Sequence, residues 1–166
     1  MSSGSGATDE ERSTFYVERV CPQADQAYRL GFALTLSREG GQRVVTGVFK
    51  KLVQDLKALE GRSSEDLRKK ILRMAWEEFH SMRDKYSAES TNLARFFSAL
   101  SLEARAALVV IDVCGMTAAE CAEVMAAPSK DVSTHLTVAR RELVKMSGKD
   151  VKRNLQEEAE NGPEDA

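Results

Sequence analysis

The sequence predicts an all-α protein of two small helical domains joined by a short linker, the second of them a helix-turn-helix domain. Apolar residues recur at three- and four-residue steps along most of the 166 residues, which is the period of an amphipathic helix. Only three prolines occur, at positions 22, 128 and 163. No segment shows the apolar–polar alternation that indicates a half-buried strand. These observations together predict helices and no sheet.

Three helices are predicted in the first half. Pro22 suits the first turn of a helix that ends near Ser37, and the pair Gly40-Gly41 should break it. The second helix stops at Gly61, and Ser64 is positioned to cap the third. Their apolar stripes are Ala24, Ala27, Tyr28, Phe32 and Leu34; then Val45, Val48, Phe49, Leu52, Leu56 and Leu59; then Leu67, Ile71, Ala75, Phe79 and Met82.

Three closely spaced helices are predicted in the second half. The first is capped by Ser101 and ends at Gly115, and the next opens with a capping box between Thr117 and Glu120. A short capped helix, a tight turn and a longer helix form the helix-turn-helix arrangement. The short helix should end near Ala126, and Pro128 lies in the turn. Ser129 is predicted to cap the last helix, whose apolar stripe is Val132, Leu136, Ala139, Leu143 and Met146.

The domain boundaries follow from where this periodicity lapses. Small polar residues around 86–91 interrupt the helical pattern and indicate a linker. The predicted units are a flexible N-terminal lead over residues 1–12, a helical domain over 13–86, a linker over 87–96, a helix-turn-helix domain over 97–150, and an acidic tail over 151–166 that should be disordered.

The composition indicates the class of protein and its location. Apolar residues make up 42% and charged residues 30% of the chain, with a formal net charge of −2, which is typical of a globular protein. No apolar stretch is long enough to span a bilayer and no signal peptide opens the chain, so we expect a cytoplasmic location. Basic runs and the acidic tail indicate anionic partners or simply solvated helix faces.

Enzymatic or metal chemistry has no support in the sequence. The three cysteines, Cys21, Cys114 and Cys121, lack the spacing of a zinc site and are an odd number for a disulfide framework. Cys114 and Cys121 lie among apolar residues and are interpreted as small core residues. His80 and His135 are isolated from other ligand residues. Neither a Gly-rich phosphate loop nor a nucleophile elbow is present. We therefore predict a protein that is not an enzyme and needs no cofactor or metal.

The second half resembles the C-terminal, promoter −35-reading domain of extracytoplasmic-function (ECF) sigma factors. That family shows L-P-x-x-x-R, an apolar helix, G-hydrophobic-S/T-x-x-E-I-A, a turn, and V-K-S-R-L-x-R-A-R-x-x-L. The residues of this chain that keep the pattern are Leu100, Arg105, Gly115, Thr117, Glu120, Ala122, Pro128, Val132, Leu136, Ala139, Arg140 and Leu143. The likeness implies DNA contacts by Lys130, Ser133, Thr134, His135 and Thr137 at base edges, and by Arg140, Arg141 and Lys145 at phosphates.

The first half is similar to the same family's −10-reading and polymerase-binding domain, on Y-R-L-G-F-A-L-T-L and the helix that ends in Phe49. This likeness implies −10 contacts by Arg68, Lys69, Lys70, Arg73 and Trp76. Trp76 could stack on an unpaired base or pack in the core beside Leu72 and Phe79. The residues that should face the RNA polymerase core are Arg43, Val45, Thr46, Phe49 and Lys50.

Two departures from the family bear on function. The family motif A-E-D-L-V-Q-E-T-F is here G-Q-R-V-V-T-G-V-F, so an aspartate becomes Arg43, a glutamine Thr46 and a glutamate Gly47. In the last helix, two groove-side arginines become His135 and Val138, and a lysine becomes Ser133. Arginine and lysine are the usual readers of guanine and neutralisers of phosphate, so the substitutions weaken both kinds of contact.

Three functions are consistent with these residues. The favoured one is a divergent ECF-type sigma factor that binds RNA polymerase core and promoter DNA. The second is a sigma-like protein-interaction module, a decoy or regulator that binds an anti-sigma factor without initiating transcription. The third is a non-sigma transcription regulator that uses only its helix-turn-helix.

Overall fold

The computed structural model of the protein describes residues 7–160, with side chains over residues 7–149. Helices make up most of this range, and no strand occurs within it, so the predicted all-α class is confirmed. The α-helices are α1 (Asp9–Phe15), α2 (Ala24–Thr35), α3 (Arg38–Gln54), α4 (Ser64–Ser81), α5 (Asn92–Ser98), α6 (Leu102–Ala107), α7 (Ala118–Met125) and α8 (Ser129–Glu160).

Irregular helical turns join several of these elements. A π-helical turn (Tyr16–Val20) and a 3₁₀ turn (Cys21–Gln23) lead from α1 into α2, so Pro22 lies in a first turn as predicted. A 3₁₀ turn (Leu56–Leu59) follows α3, and α6 continues as a π-helical turn (Leu108–Val113) that ends before Gly115. Gly115 has a φ of 72°, which glycine adopts without steric cost.

The predicted break at Gly40-Gly41 was wrong, because both glycines lie inside α3. Ser37 caps this helix by accepting a hydrogen bond from the Gly40 amide at 3.3 Å. A Cβ on Gly41 would lie 3.2 Å from the backbone nitrogen of Phe32 in α2. The glycines therefore let α2 and α3 pack with their backbones close together, and this gain in packing outweighs the low helix propensity of glycine.

The predicted domain boundaries differ from the observed helix ends at three places. Residues 9–12 of the predicted flexible lead belong to α1, where Thr8 and Glu11 form a capping box. Residues 92–96 of the predicted linker begin α5, capped by Thr91. Residues 151–160 of the predicted disordered tail continue α8, because no glycine or proline interrupts the chain between Gly148 and Gly162. Residues 1–6 and 161–166 lie outside the described residues.

Most predicted caps are observed. Ser101 caps α6, and Thr117 forms the predicted capping box with Glu120 at the start of α7. The cap of α4 is Ser63 rather than Ser64. At the start of α8, the carbonyl of Pro128 accepts the amides of Asp131 and Val132, and Ser129 is the first helical residue rather than the cap.

The buried apolar residues of the two halves form one continuous cluster. Arg105 of α6 bonds to both halves: its Nε donates to the carbonyl oxygen of Phe97 at 2.6 Å, and its Nη1 donates to that of Leu34 at 3.4 Å. The linker is also fixed, because the Glu89 amide donates to the Leu36 carbonyl and the Glu89 carboxylate accepts from the Arg38 amide. The halves therefore pack against each other, with α2 against α6 and α4 against α7.

Candidate nucleic-acid and protein-binding surfaces

Helices α7 and α8 and the short turn between them lie where the sequence predicts a helix-turn-helix. Ala126 ends α7 in the left-handed conformation, with a φ of 50°, and α8 starts three residues later. Val132, Leu136 and Ala139 are buried and hold α8 against α6 and α7. The opposite side of α8 is therefore presented to solvent over its first three turns.

This solvent side carries most of the predicted base-reading residues. Lys130, Ser133, Thr134 and Thr137 are exposed, and His135 is half-buried at the flank. The three hydroxyls donate hydrogen bonds to carbonyl oxygens one turn earlier in α8. The oxygen–oxygen distances are 3.0 Å for Ser133 to Ser129, 3.1 Å for Thr134 to Lys130 and 2.9 Å for Thr137 to Ser133.

The predicted phosphate-contacting residues of α8 differ in their surroundings. Arg140 forms a bidentate ion pair with Asp112 in the π-helical turn, at 2.6 Å and 2.9 Å. The hydrogen bond from Arg140 lowers the pKa of the Asp112 carboxyl. Lys145 bonds to Glu142 at 2.7 Å. Arg141 is exposed and forms no ion pair among residues 7–149, so it is better placed than Arg140 for a phosphate.

Two of the predicted −10 contacts lie at the junction between the halves. Lys69 pairs with Glu123 of α7 at 2.8 Å, and Arg68 Nη1 donates to the carbonyl oxygen of Cys114 at 3.2 Å. The hydrogen bond to Glu123 raises the pKa of Lys69. Arg68 is half-buried, and its Nε has no protein acceptor. Both cationic side chains are therefore engaged in contacts with the second half of the chain.

The other predicted −10 residues remain on the outer side of α4. Arg73 pairs with Glu77 one turn later at 3.0 Å, and Lys70 is half-buried. Trp76 is half-buried against the core, and its ring lies 4.2 Å from that of His80 between centroids. Trp76 therefore packs against the core here, which is the second of the two interpretations given for it.

The predicted polymerase-facing residues lie along α3. Thr46 and Lys50 are exposed, and Val45 and Phe49 are half-buried, with Phe49 edge-on to Tyr16 at 6.3 Å between centroids. The Thr46 hydroxyl donates to the Gln42 carbonyl.

Arg43 is the remaining residue predicted to face polymerase. It belongs to a charge cluster beneath this surface, and the sequence did not predict that cluster. The carboxylate of Glu78 in α4 is buried and pairs with Lys51 at 2.6 Å and Arg43 at 3.6 Å. Arg43 also contacts Asp84 at 3.8 Å. The Glu78 side chain fills the space in which a Cβ on Gly47 would stand.

An apolar groove of about 510 Å³ opens where α2, α5 and the π-helical turn after α6 meet. Leu93 and Val113 are exposed on its wall, and Arg29, Arg38 and Glu89 supply its charged side chains. Its remaining lining residues are Tyr28, Phe32, Thr91, Phe97 and Val109. The groove lies between the halves, so residues distant in the chain form it.

The partners Asp112, Glu123, Glu78 and Glu89 were all missed from the sequence. Glu78 carried one signal: it lies on the predicted apolar stripe of α4, between Ala75 and Met82. A charged residue on a buried stripe indicates a buried partner. The other three lie at surface positions that no periodicity distinguishes.

Three solved structures show the fold. The chain is similar to the sigma factor RpoE from Bartonella quintana, solved with the anti-sigma factor NepR, at 15% identity and a TM-score of 0.65, covering 85% of this chain and 98% of that one. It is similar to CnrH, solved with the cytosolic domain of CnrY, at 18% identity and a TM-score of 0.60, covering 87% and 92%.

The third similar structure is the anti-anti-sigma factor PhyR from Bartonella quintana, solved with NepR. The identity is 21% and the TM-score 0.58, covering 78% of this chain. This chain spans about half of that protein, 49% of its length. Neither a family model nor a curated protein matches the sequence. The fold is therefore shared with the sigma factor RpoE, with CnrH and with about half of PhyR.

Over the described residues, no helix is long and apolar enough to cross a bilayer. The same part of the chain holds no group of three or more histidine, cysteine, aspartate or glutamate side chains arranged for a metal ion.

Proposed function

We propose that this protein is a divergent ECF-type sigma factor, which binds RNA polymerase core and reads promoter DNA in the bacterial cytoplasm. The observation that carries the proposal is the solvent side of α8. Exposed cations and hydroxyls cover the outer side of a capped helix-turn-helix whose inner side is buried. In a helix-turn-helix the second helix enters the major groove with this side, and cations and hydroxyls are the groups that contact phosphates and base edges there.

Regulation by an anti-sigma-class protein accompanies this proposal. All three similar structures were solved as complexes, two of them with a protein described as an anti-sigma factor. In this chain the apolar groove between the halves is open to such a partner, with Leu93 and Val113 exposed in it. An amphipathic helix of the partner would bury these side chains and hold the two halves together, with Arg68 bonded to Cys114 and Lys69 paired with Glu123.

A second candidate function is the sigma-like interaction module, and the cluster around Glu78 favours it. Where the family has acidic and amide side chains toward polymerase, this chain has Arg43 and Gly47, both packed against Glu78. The family glutamate at position 47 would overlap the Glu78 carboxylate. A protein that binds only an anti-sigma factor needs none of the family's polymerase contacts.

Reconstitution with purified RNA polymerase core separates the two candidates. The wild-type chain is passed over gel filtration with core, and then with an anti-sigma-class protein of the same bacterium. A sigma factor comigrates with core and supports transcription from a selected promoter. An interaction module comigrates with the anti-sigma protein alone. Failure to bind either one contradicts both candidates.

A matched pair of variants reports whether α3 is the contact. Thr46→Gln restores the family's amide at an exposed position and should strengthen binding to core. Thr14→Gln makes the same change at an exposed position of α1 and should leave binding unchanged. Gly47 is left in place, because a side chain there displaces Glu78.

A further inference from the structure

The side of α8 that faces solvent has an uneven distribution of hydrogen-bonding groups. Its middle consists of Thr134, Thr137 and Val138, and Val138 has 44% of its surface exposed. Lys130 lies one turn before Thr134, and Arg141 one turn after Thr137. Residues three and four apart share one face of a helix. The centre of this face therefore consists of hydroxyl and methyl groups, and cationic side chains lie toward its two ends.

The threonine hydroxyls present acceptors rather than donors to a ligand. A hydroxyl has one hydrogen and two acceptor lone pairs. The hydrogens of Thr134 and Thr137 are directed to the Lys130 and Ser133 carbonyls, at 3.1 Å and 2.9 Å between oxygens. In the major groove, the groups that donate to an acceptor are the amines of adenine and cytosine, while guanine offers only acceptors.

The methyl groups distinguish adenine pairs from cytosine pairs. Val138 and the γ-methyls of the two threonines are the apolar groups of this face. The apolar group that DNA presents in the major groove is the C5-methyl of thymine, which belongs to the A·T pair. Acceptors and methyls on one helix face thus match the adenine amine and thymine methyl of A·T pairs.

We propose that α8 selects A·T base pairs in the major groove, with Thr134, Thr137 and Val138 as the specificity-determining residues and with Lys130 and Arg141 on phosphates. The inference rests on the proposed DNA-binding function and specifies its ligand. Asp131 and His135 flank the reading face. If Asp131 were the reader, it would accept from the cytosine amine and select G·C pairs instead.

In vitro selection from a short random duplex library tests the inference, using the full chain alone and bound to RNA polymerase core. Wild type should enrich adjacent A·T pairs, with about a fivefold preference at each selected position. Val138→Arg should add a guanine preference of about tenfold, since arginine is bidentate to guanine. Val144→Arg, at a position 71% exposed on the same helix, adds the same charge farther along and should strengthen binding without changing base preference.

The possible outcomes separate the two proposals. Binding with a guanine or cytosine preference, or with no base preference, overturns the A·T inference and leaves the DNA-binding function intact. A Val138→Arg variant that selects the same bases as wild type also overturns it, because position 138 would then not face the bases. No binding to any duplex, alone or with core, overturns the proposed function and the inference together. Far-ultraviolet circular dichroism checks that the variants keep the helical fold.

Discussion

Glu78 and Gly47 occupy complementary space: the buried carboxylate of Glu78 lies where a side chain at position 47 would begin. The carboxylate stays there because Lys51 and Arg43 pair with it. A buried charge is tolerated only when it is paired, since desolvation otherwise penalises it strongly. The glycine in the middle of α3 is therefore explained by a side chain of α4.

This relationship predicts opposite effects of one substitution in two backgrounds. Gly47→Ala should lower the free energy of unfolding by about 1 kcal/mol, because the Glu78 carboxylate must leave its paired position. In a Glu78→Ala background the same substitution should raise it by up to about 1 kcal/mol, because alanine has the higher helix propensity. Urea denaturation of wild type, the two single variants and the double variant gives the coupling free energy between positions 47 and 78. Equal effects in both backgrounds would contradict the structure.

Arg105 should be among the most sensitive positions for stability. Its guanidinium donates to carbonyls of α5 and of the end of α2, and burial lowers its pKa. Arg105→Ala removes hydrogen bonds to carbonyls of both halves and leaves the Phe97 carbonyl with only the Leu100 amide as donor, so we expect a loss of about 2–3 kcal/mol. Arg95→Ala is the control, because Arg95 is exposed on α5 and its loss should cost less than about 0.5 kcal/mol. Comparable urea midpoints for the two variants would show that Arg105 does not join the halves.

The neighbours Arg140 and Arg141 should differ in their contribution to DNA binding. Arg141→Ala should reduce the slope of log affinity against log salt concentration by about one, the loss of one phosphate contact. Arg140→Ala should change the slope little, because Asp112 already holds the Arg140 guanidinium. Fluorescence anisotropy over a salt series measures both slopes. A larger effect from Arg140 than from Arg141 would mean that the Asp112 pair opens when DNA binds.

The two buried thiols predict a loss of stability at alkaline pH. Burial raises the pKa of Cys114 to about 11 and that of Cys121 to about 12, from an ordinary value of 9.0. The unfolded thiols lose their protons above pH 9 while the folded ones keep them. The stability that the neutral thiols contribute is complete below pH 9 and is lost as the pH rises toward 11 to 12.

We expect this loss to be about 1–2 kcal/mol per thiol by pH 10.5. Urea denaturation at pH 8 and pH 10.5 measures it for wild type and for a Cys114→Ala, Cys121→Ala double variant, which should lose less stability than wild type. Cys21→Ala retains both buried thiols and should behave like wild type. An equal loss in the double variant and wild type would assign the alkaline sensitivity to other groups.

The sequence by itself determined the all-α class, most of the longer helices, the caps of α6 and α7, and the short turn between α7 and α8. These features depend on residues three or four apart, such as Thr117 and Glu120, so local periodicity and capping chemistry record them. Where local signals misled, at Gly40-Gly41, a packing partner in α2 compensated for the low helix propensity. Helices also cover residues 9–12, 92–96 and 151–160, where no apolar stripe is long enough to indicate them.

Only the tertiary structure decided which charges are available to a partner. Lys51 and Glu78 are 27 residues apart, Arg140 and Asp112 are 28 apart, and Arg105 contacts Leu34 across 71 residues. Contacts at such separations leave no periodic signature, because the fold rather than the chain brings the residues together. The sequence therefore determined which residues could bind DNA or polymerase, and the packing of the two halves determined which of them are already engaged within the protein.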